Sequence, residues 1–111
     1  MKKITVVIPF FNEEGNILRL LKDLANELSQ INGFNCEVFL IDDCSTDNGK
    51  NLEKYFIEKN KKNKIQIIEN EHNIGKTFSI AKAINQIDSD FLLFMDGDYQ
   101  DDPKDIKKFL D

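Results

Sequence analysis

Asp96-Gly97-Asp98 is where the residues of this chain are best placed to do chemistry. Two carboxylates flank one glycine, and Gln100 follows two residues on. Hard oxygen donors of this kind suit Mg²⁺ or Mn²⁺. Gly97 lets a turn bring both carboxylates to one point. A cation held there keeps open positions for phosphate oxygens and can act as a Lewis acid on a diphosphate leaving group. The ordinary alternative for the tripeptide is a plain turn after a strand. The run before it, Phe91-Leu92-Leu93-Phe94-Met95, is wholly apolar. A buried strand that delivers two carboxylates side by side loses stability unless something pairs with them.

Three other segments carry polar side chains of the same character. In Asp42-Asp43, one aspartate can cap the following turn with its side chain. The other can accept an N–H from a nucleobase, because a carboxylate is a good acceptor for a ring imide or amidine edge. Asn12 and Glu14 are placed to join it, or else they cap a helix start. Gly75-Lys76 either brings a cation and backbone N–H groups near a phosphate or makes a simple turn. Phe10 and Phe11 are packing residues, one of which could stack on a base.

The elements that must position these groups follow from the apolar pattern. Ile4-Thr5-Val6-Val7-Ile8 reads as a strand buried on both faces, stopped by Pro9. Glu13 to Ile31 reads as a helix with Ile17, Leu21, Leu24, Leu28 and Ile31 on one stripe, closed by Asn32-Gly33. Val38 to Ile41 is a second strand, and Asp47 can cap a helix that turns Leu52, Tyr55 and Phe56 inward. Ile65 to Ile68 is a third strand. Gly75 precedes a helix expected to face inward through Phe78, Ala81, Ile84 and Ile87. Phe91 to Met95 is the fourth strand, and Asp102-Pro103 opens a last helix carrying Ile106, Phe109 and Leu110.

This βαβαβαβα order predicts an α/β fold with a parallel sheet and helices on both faces. Ligands of such sheets sit outside the carboxyl ends of the strands. All four carboxyl ends here are rich in carboxylates or amides, whereas the opposite edge, at 32–35 and 63–64, is bland. There is no Gly-x-x-x-x-Gly-Lys loop to supply phosphate with backbone donors. A divalent cation resolves the conflict between an acidic rim and a phosphate ligand.

The 111 residues fit one domain. A net charge of −5 and a single arginine, Arg19, argue against nucleic acid as a partner. The lysines between Lys59 and Lys64 read as a solvated helix end and loop. Two cysteines, Cys36 and Cys44, are separated by an extended strand of about 20 Å, beyond disulfide reach. Free thiols suit a reducing cytoplasm. His72 is the only histidine, so a multi-histidine metal site is excluded. Neither a signal peptide nor a membrane span is expected.

Ile4 to Asn16, Ile41 to Asp47, Asn73-Ile74-Gly75-Lys76 and Met95 to Pro103 together resemble the N-terminal half of the inverting family-2 glycosyltransferases. Met95 to Pro103 is similar to the branch that moves sugars onto polyprenyl phosphates. The resemblance implies the Rossmann-like glycosyltransferase A fold, here residues 1–111 as the nucleotide-sugar-binding half, with the acceptor half expected beyond Asp111. It implies a base pocket lined by Pro9, Asn12 and Glu14, with Asp43 taking the base N–H. It implies Asp96 and Asp98 as the metal motif, Gln100 as a further ligand, and Asp96 near the donor sugar and ribose. The implied partners are a UDP- or GDP-sugar and an acceptor that is a polyprenyl phosphate or a glycan. The implied place is the cytoplasm, at the inner face of the membrane. Cys44 stands where glycine is usual in that family, which puts the turn there in question.

Two other readings compete. A non-catalytic nucleotide-binding fragment would keep the fold without turnover, and its open sheet edge would promote self-association into a homo-oligomer. A response-regulator receiver domain needs an acid pair after its first strand and a lysine after its fifth. Here the aspartate pair follows the second strand, and no fifth strand is predicted.

Overall fold

The computed structural model describes residues 1–13, 15–47 and 65–95. Its elements are β1 (Lys2–Phe10), α1 (Ile17–Ser29), β2 (Phe34–Asp42), β3 (Ile65–Glu69), α2 (Lys76–Ile84) and β4 (Phe91–Phe94). The helices expected after Asp47 and from Asp102 lie outside the described residues. The four strands form one sheet in the order β3-β2-β1-β4, with every neighbouring pair parallel. The register matches Val6 with Val38 and Leu93, and Ile41 with Ile68. The predicted α/β class with a parallel sheet is the fold observed.

Side chains alternate across the sheet and feed two cores. Val6, Ile8, Phe10, Val38 and Leu40 pack with Ile17, Leu20, Leu21 and Leu24 of α1. Val7, Phe39 and Ile41 pack with Ala83 of α2 on the other face. Full burial of each such aliphatic side chain stabilises the fold by about 1.5–3 kcal/mol relative to exposure. The expected stripe on α1 is present, with Leu20 added to it and with Leu28 and Ile31 only half-buried.

Helix α1 is shorter than the sequence pattern suggested. The N–H groups of Asn16 and Ile17 both donate to the Glu13 carbonyl, which makes the segment before Ile17 a turn. At the other end, Gln30 and Ile31 donate to Glu27 and Leu28 in tighter three-residue steps. Gly33, at φ 88°, then redirects the chain into β2.

Pro9 does not stop β1. The strand runs on to Phe10, and Pro9 pairs in register with Ile41. The Phe10 carbonyl accepts from Asp43 on the β2 side, and the Val7 carbonyl accepts from Met95 on the β4 side. Alternation therefore turns the nitrogen of Pro9 toward β4, past Phe94, where the β1–β4 ladder has ended. The missing N–H breaks no ladder bond with β2.

The inward face of α2 also differs from expectation. Ser79 and Ala83 are buried, whereas Phe78 is 70% exposed and Ala81 and Ile84 lie at the surface. Ile87, just past the helix, is half-buried against the second core, as expected. Small side chains at i and i+4 bring the helix close to the sheet, and the Ser79 hydroxyl finds a buried polar partner there.

Candidate functional site

The carboxyl ends of β1, β2 and β3 enter three loops that are tied together by side chains. The first tie runs from Asn12 to the loop after β2. Asn12 has left-handed backbone geometry, φ 52°, which asparagine tolerates better than most residues. Its Oδ1 accepts the N–H of Thr46 at 2.8 Å and the N–H of Asp47 at 3.3 Å. The Thr46 hydroxyl donates to the same oxygen at 3.3 Å. In return, the Asn12 N–H donates to Ser45 Oγ at 3.0 Å. Asn12 is not a helix cap: the cap position of α1 is Asn16.

The two aspartates divide their work. Asp42 closes its own turn, with Oδ1 accepting the Ser45 N–H at 2.8 Å. Asp43 reaches across to the loop after β3. Its Oδ1 accepts the Ile74 N–H at 2.8 Å and Asn70 Nδ2 at 3.0 Å, and its Oδ2 accepts the Gly75 N–H at 2.8 Å. Burial by itself would push the Asp43 carboxyl up. Hydrogen bonds from Ile74, Asn70, Gly75 and Ser79 outweigh it and hold the group below the usual aspartate range. Gly75 sits at φ 86°, a geometry that favours glycine, and presents its N–H to Asp43 while opening α2.

Cys44 also lies in the left-handed region, at φ 63°, with Sγ 3.5 Å from the Glu71 carbonyl. The backbone keeps a glycine-like turn although the residue is cysteine. Both cysteines are free, as expected.

Of the predicted site residues, Pro9, Asn12, Asp43 and Gly75 lie at this one edge of the sheet, with Lys76 exposed at the start of α2. Glu14, Asp96, Asp98 and Gln100 lie outside the described residues. Met95, immediately before Asp96, is held at the same carboxyl edge by its N–H bond to Val7. Among the described residues, no group of three His, Cys, Asp or Glu side chains could hold a metal ion. The carboxylates of Asp42 and Asp43 are committed to N–H groups of the chain. Phe10 is buried in the α1 core, whereas Phe11, beside Asn12, is 41% exposed.

Sequence reasoning did not single out Asn70, Ser79 or Lys82. Asn70 is 5% exposed and joins Asp43 to both helix residues, with Nδ2 donating to Ser79 Oγ at 2.9 Å and Oδ1 accepting from Lys82 Nζ at 3.2 Å. The only signal in the sequence is an amide just after a strand. A serine and a lysine on a helix read as surface until their partners are known.

The model of the family described as "Glycosyl transferase family 2" matches residues 5–111. An uncharacterized protein of Methanocaldococcus jannaschii is 38% identical over 94% of this chain and 44% of its own length. The undecaprenyl-phosphate 4-deoxy-4-formamido-L-arabinose transferase of Proteus mirabilis is 34% identical over 99% of this chain and 33% of its own length. The chain thus spans less than half of these relatives. Among solved structures, S. aureus TarS in complex with UDP-GlcNAc superposes with a TM-score of 0.71 and 30% identity, over 97% of this chain and 30% of that one. The mannosyltransferase PcManGT from Pyrobaculum calidifontis, in complex with GDP-Man and Mn²⁺, gives a TM-score of 0.78 at 21% identity, over 92% of this chain and 29% of that one, a likeness of fold.

Proposed function

Because the chain belongs to glycosyl transferase family 2, we propose that it is the nucleotide-sugar-binding half of a glycosyltransferase, which transfers a sugar from a UDP- or GDP-sugar to a polyprenyl phosphate or a glycan. The observation that carries this reading is the interlocked rim at the carboxyl ends of β1, β2 and β3. Asn12 and Asp43 tie three loops together there. The complex of TarS with UDP-GlcNAc, at 30% identity, supports a nucleotide-sugar donor, and the undecaprenyl-phosphate transferase supports a lipid phosphate acceptor.

In this reading the base lies against Pro9, Asn12 and Glu14. Asp43 accepts its N–H through Oδ2, the oxygen that takes one backbone N–H where Oδ1 takes two N–H groups. Phe11 offers a ring face for stacking. The Gly75-Lys76 start of α2 lies toward the phosphates. Asp96, Asp98 and Gln100 would hold Mg²⁺ or Mn²⁺, which would supply positive charge to a diphosphate leaving group. The acceptor oxygen attacks the anomeric carbon as the bond to the diphosphate breaks, and configuration inverts. The enzyme works at the inner face of the membrane. Among the described residues, no helix is long and apolar enough to cross one.

Calorimetric titration of UDP and GDP, with and without Mn²⁺, tests the reading on the wild type and on Asp98→Ala. Metal-dependent binding of one nucleotide, lost in the variant, is the expected result. Binding of neither nucleotide would favour a fragment that has kept the fold without the function.

A further inference from the structure

We propose that Asn70 is a positioning residue of the nucleotide site, whose side-chain amide holds the Asp43 carboxylate in the orientation that receives the base. The inference rests on the donor-site reading above and adds to it the residue that fixes the acceptor geometry.

The Asn70 amide is fully committed. One Nδ2 hydrogen goes to Asp43 Oδ1 at 3.0 Å and the other to Ser79 Oγ at 2.9 Å, while Oδ1 accepts from Lys82 Nζ at 3.2 Å. Turning the amide over would set its oxygen against the Asp43 carboxylate and its NH₂ against the Lys82 ammonium. Electrostatics therefore select one orientation. The backbone of Asn70 is anchored as well, since its N–H donates to the Asp42 carbonyl at 2.8 Å. The backbone donors to Asp43 Oδ1 and Oδ2, Ile74 and Gly75, come from the far end of the same loop. Asn70 is the member of this cradle that is tied at once to β2 and to α2. A carboxylate set in place before binding leaves less ordering to be done when the ligand arrives. Lys82 acts through Asn70, whereas Ser79 both accepts from Asn70 and bonds Asp43 directly.

The decisive substitution is Asn70→Asp in the full chain. It keeps the shape but places a carboxylate oxygen where Nδ2 now stands, 3.0 Å from Asp43 Oδ1. Two carboxylates that close share a proton. Around position 70 the titratable partners among the described residues are Asp43 at the end of β2 and Lys82 on α2. We expect Asn70→Asp to weaken binding of the nucleotide the wild type takes by about ten-fold at pH 7.5, with the deficit narrowing at pH 5.5 as the pair takes up its proton. Lys82→Met is expected to weaken binding by about two- to five-fold with no new pH dependence. A ligand-free readout accompanies these: the ¹³C NMR titration of the Asp43 carboxyl, which in Asn70→Ser should move upward. A folded Asn70→Asp chain with wild-type affinity at both pH values would overturn the proposal. So would an Asp43 titration unchanged in Asn70→Ser. If the wild type bound neither UDP nor GDP, the donor-site reading would fall, and the proposal with it. The Asp43 titration would then report only whether Asn70 orients that carboxylate.

Discussion

Asn12 Oδ1 and the Thr46 N–H, from residues 34 apart in the chain, meet at 2.8 Å and bind the loop after β1 to the loop after β2. The bond is reciprocated by the Asn12 N–H to Ser45 Oγ. A short amide in left-handed geometry thus organises two of the loops that frame the site.

Asn12→Ala should therefore cost more than an exposed position normally does. It removes the acceptor of three hydrogen bonds and puts a Cβ-bearing residue without a compensating amide at φ 52°. We expect a loss of about 1–2 kcal/mol in urea unfolding. A change within about 0.3 kcal/mol of zero would mean that the loops hold their places without Asn12.

At Cys44 the sign should reverse. Left-handed geometry costs a non-glycine residue roughly 1–2 kcal/mol, and glycine returns part of that through its freer unfolded chain. Cys44→Gly is expected to stabilise the fold by about 0.5 kcal/mol, and Cys44→Val to destabilise it, since a β-branched residue tolerates this region least. Thermal unfolding of the pair checks the order. Valine ranking above glycine would contradict a left-handed turn at this residue.

Asp43 carries a pH signature. Its carboxyl is held below the usual aspartate range by its N–H and hydroxyl partners. A depressed folded value means that the group contributes stability above its unfolded value, near 3.9, and that this contribution is lost as pH falls through the lower folded value. Asp43→Asn should be less stable than the wild type by about 2 kcal/mol at pH 7, with the gap closing below about pH 4. A gap that stayed constant down to pH 2 would show that the charge of Asp43 contributes nothing.

Phe11 and Phe78 make a matched pair for the stacking role. Both are exposed, at 41% and 70%; Phe11 directly precedes Asn12 in the loop after β1, whereas Phe78 lies in the first turn of α2. Phe11→Ala is expected to weaken UDP or GDP binding by about ten-fold and to leave stability nearly unchanged. Phe78→Ala is expected to alter neither. Equal effects of the two substitutions on binding would remove Phe11 from the site.

What the sequence determined by itself was whatever depends on near neighbours and on order along the chain. Apolar runs of strand length alternating with an amphipathic helix were enough for a parallel α/β sheet. The polar residues that follow each run were enough to single out one edge of the sheet as the place to look for a ligand. Tertiary structure decided which partner each polar group takes. Asp42 and Asp43 are adjacent and chemically identical, yet one closes its own turn and the other accepts N–H groups 27 to 32 residues away. The face of α2 was decided in the same way, by the fit of Ser79 and Ala83 against the sheet and by Asn70, with Phe78 left outside. Pro9 reads as a strand breaker until the neighbour on its nitrogen side is known. Hydrogen bonds and close packing across the sheet have no period in the chain, so local pattern cannot reveal them before the strands are placed side by side.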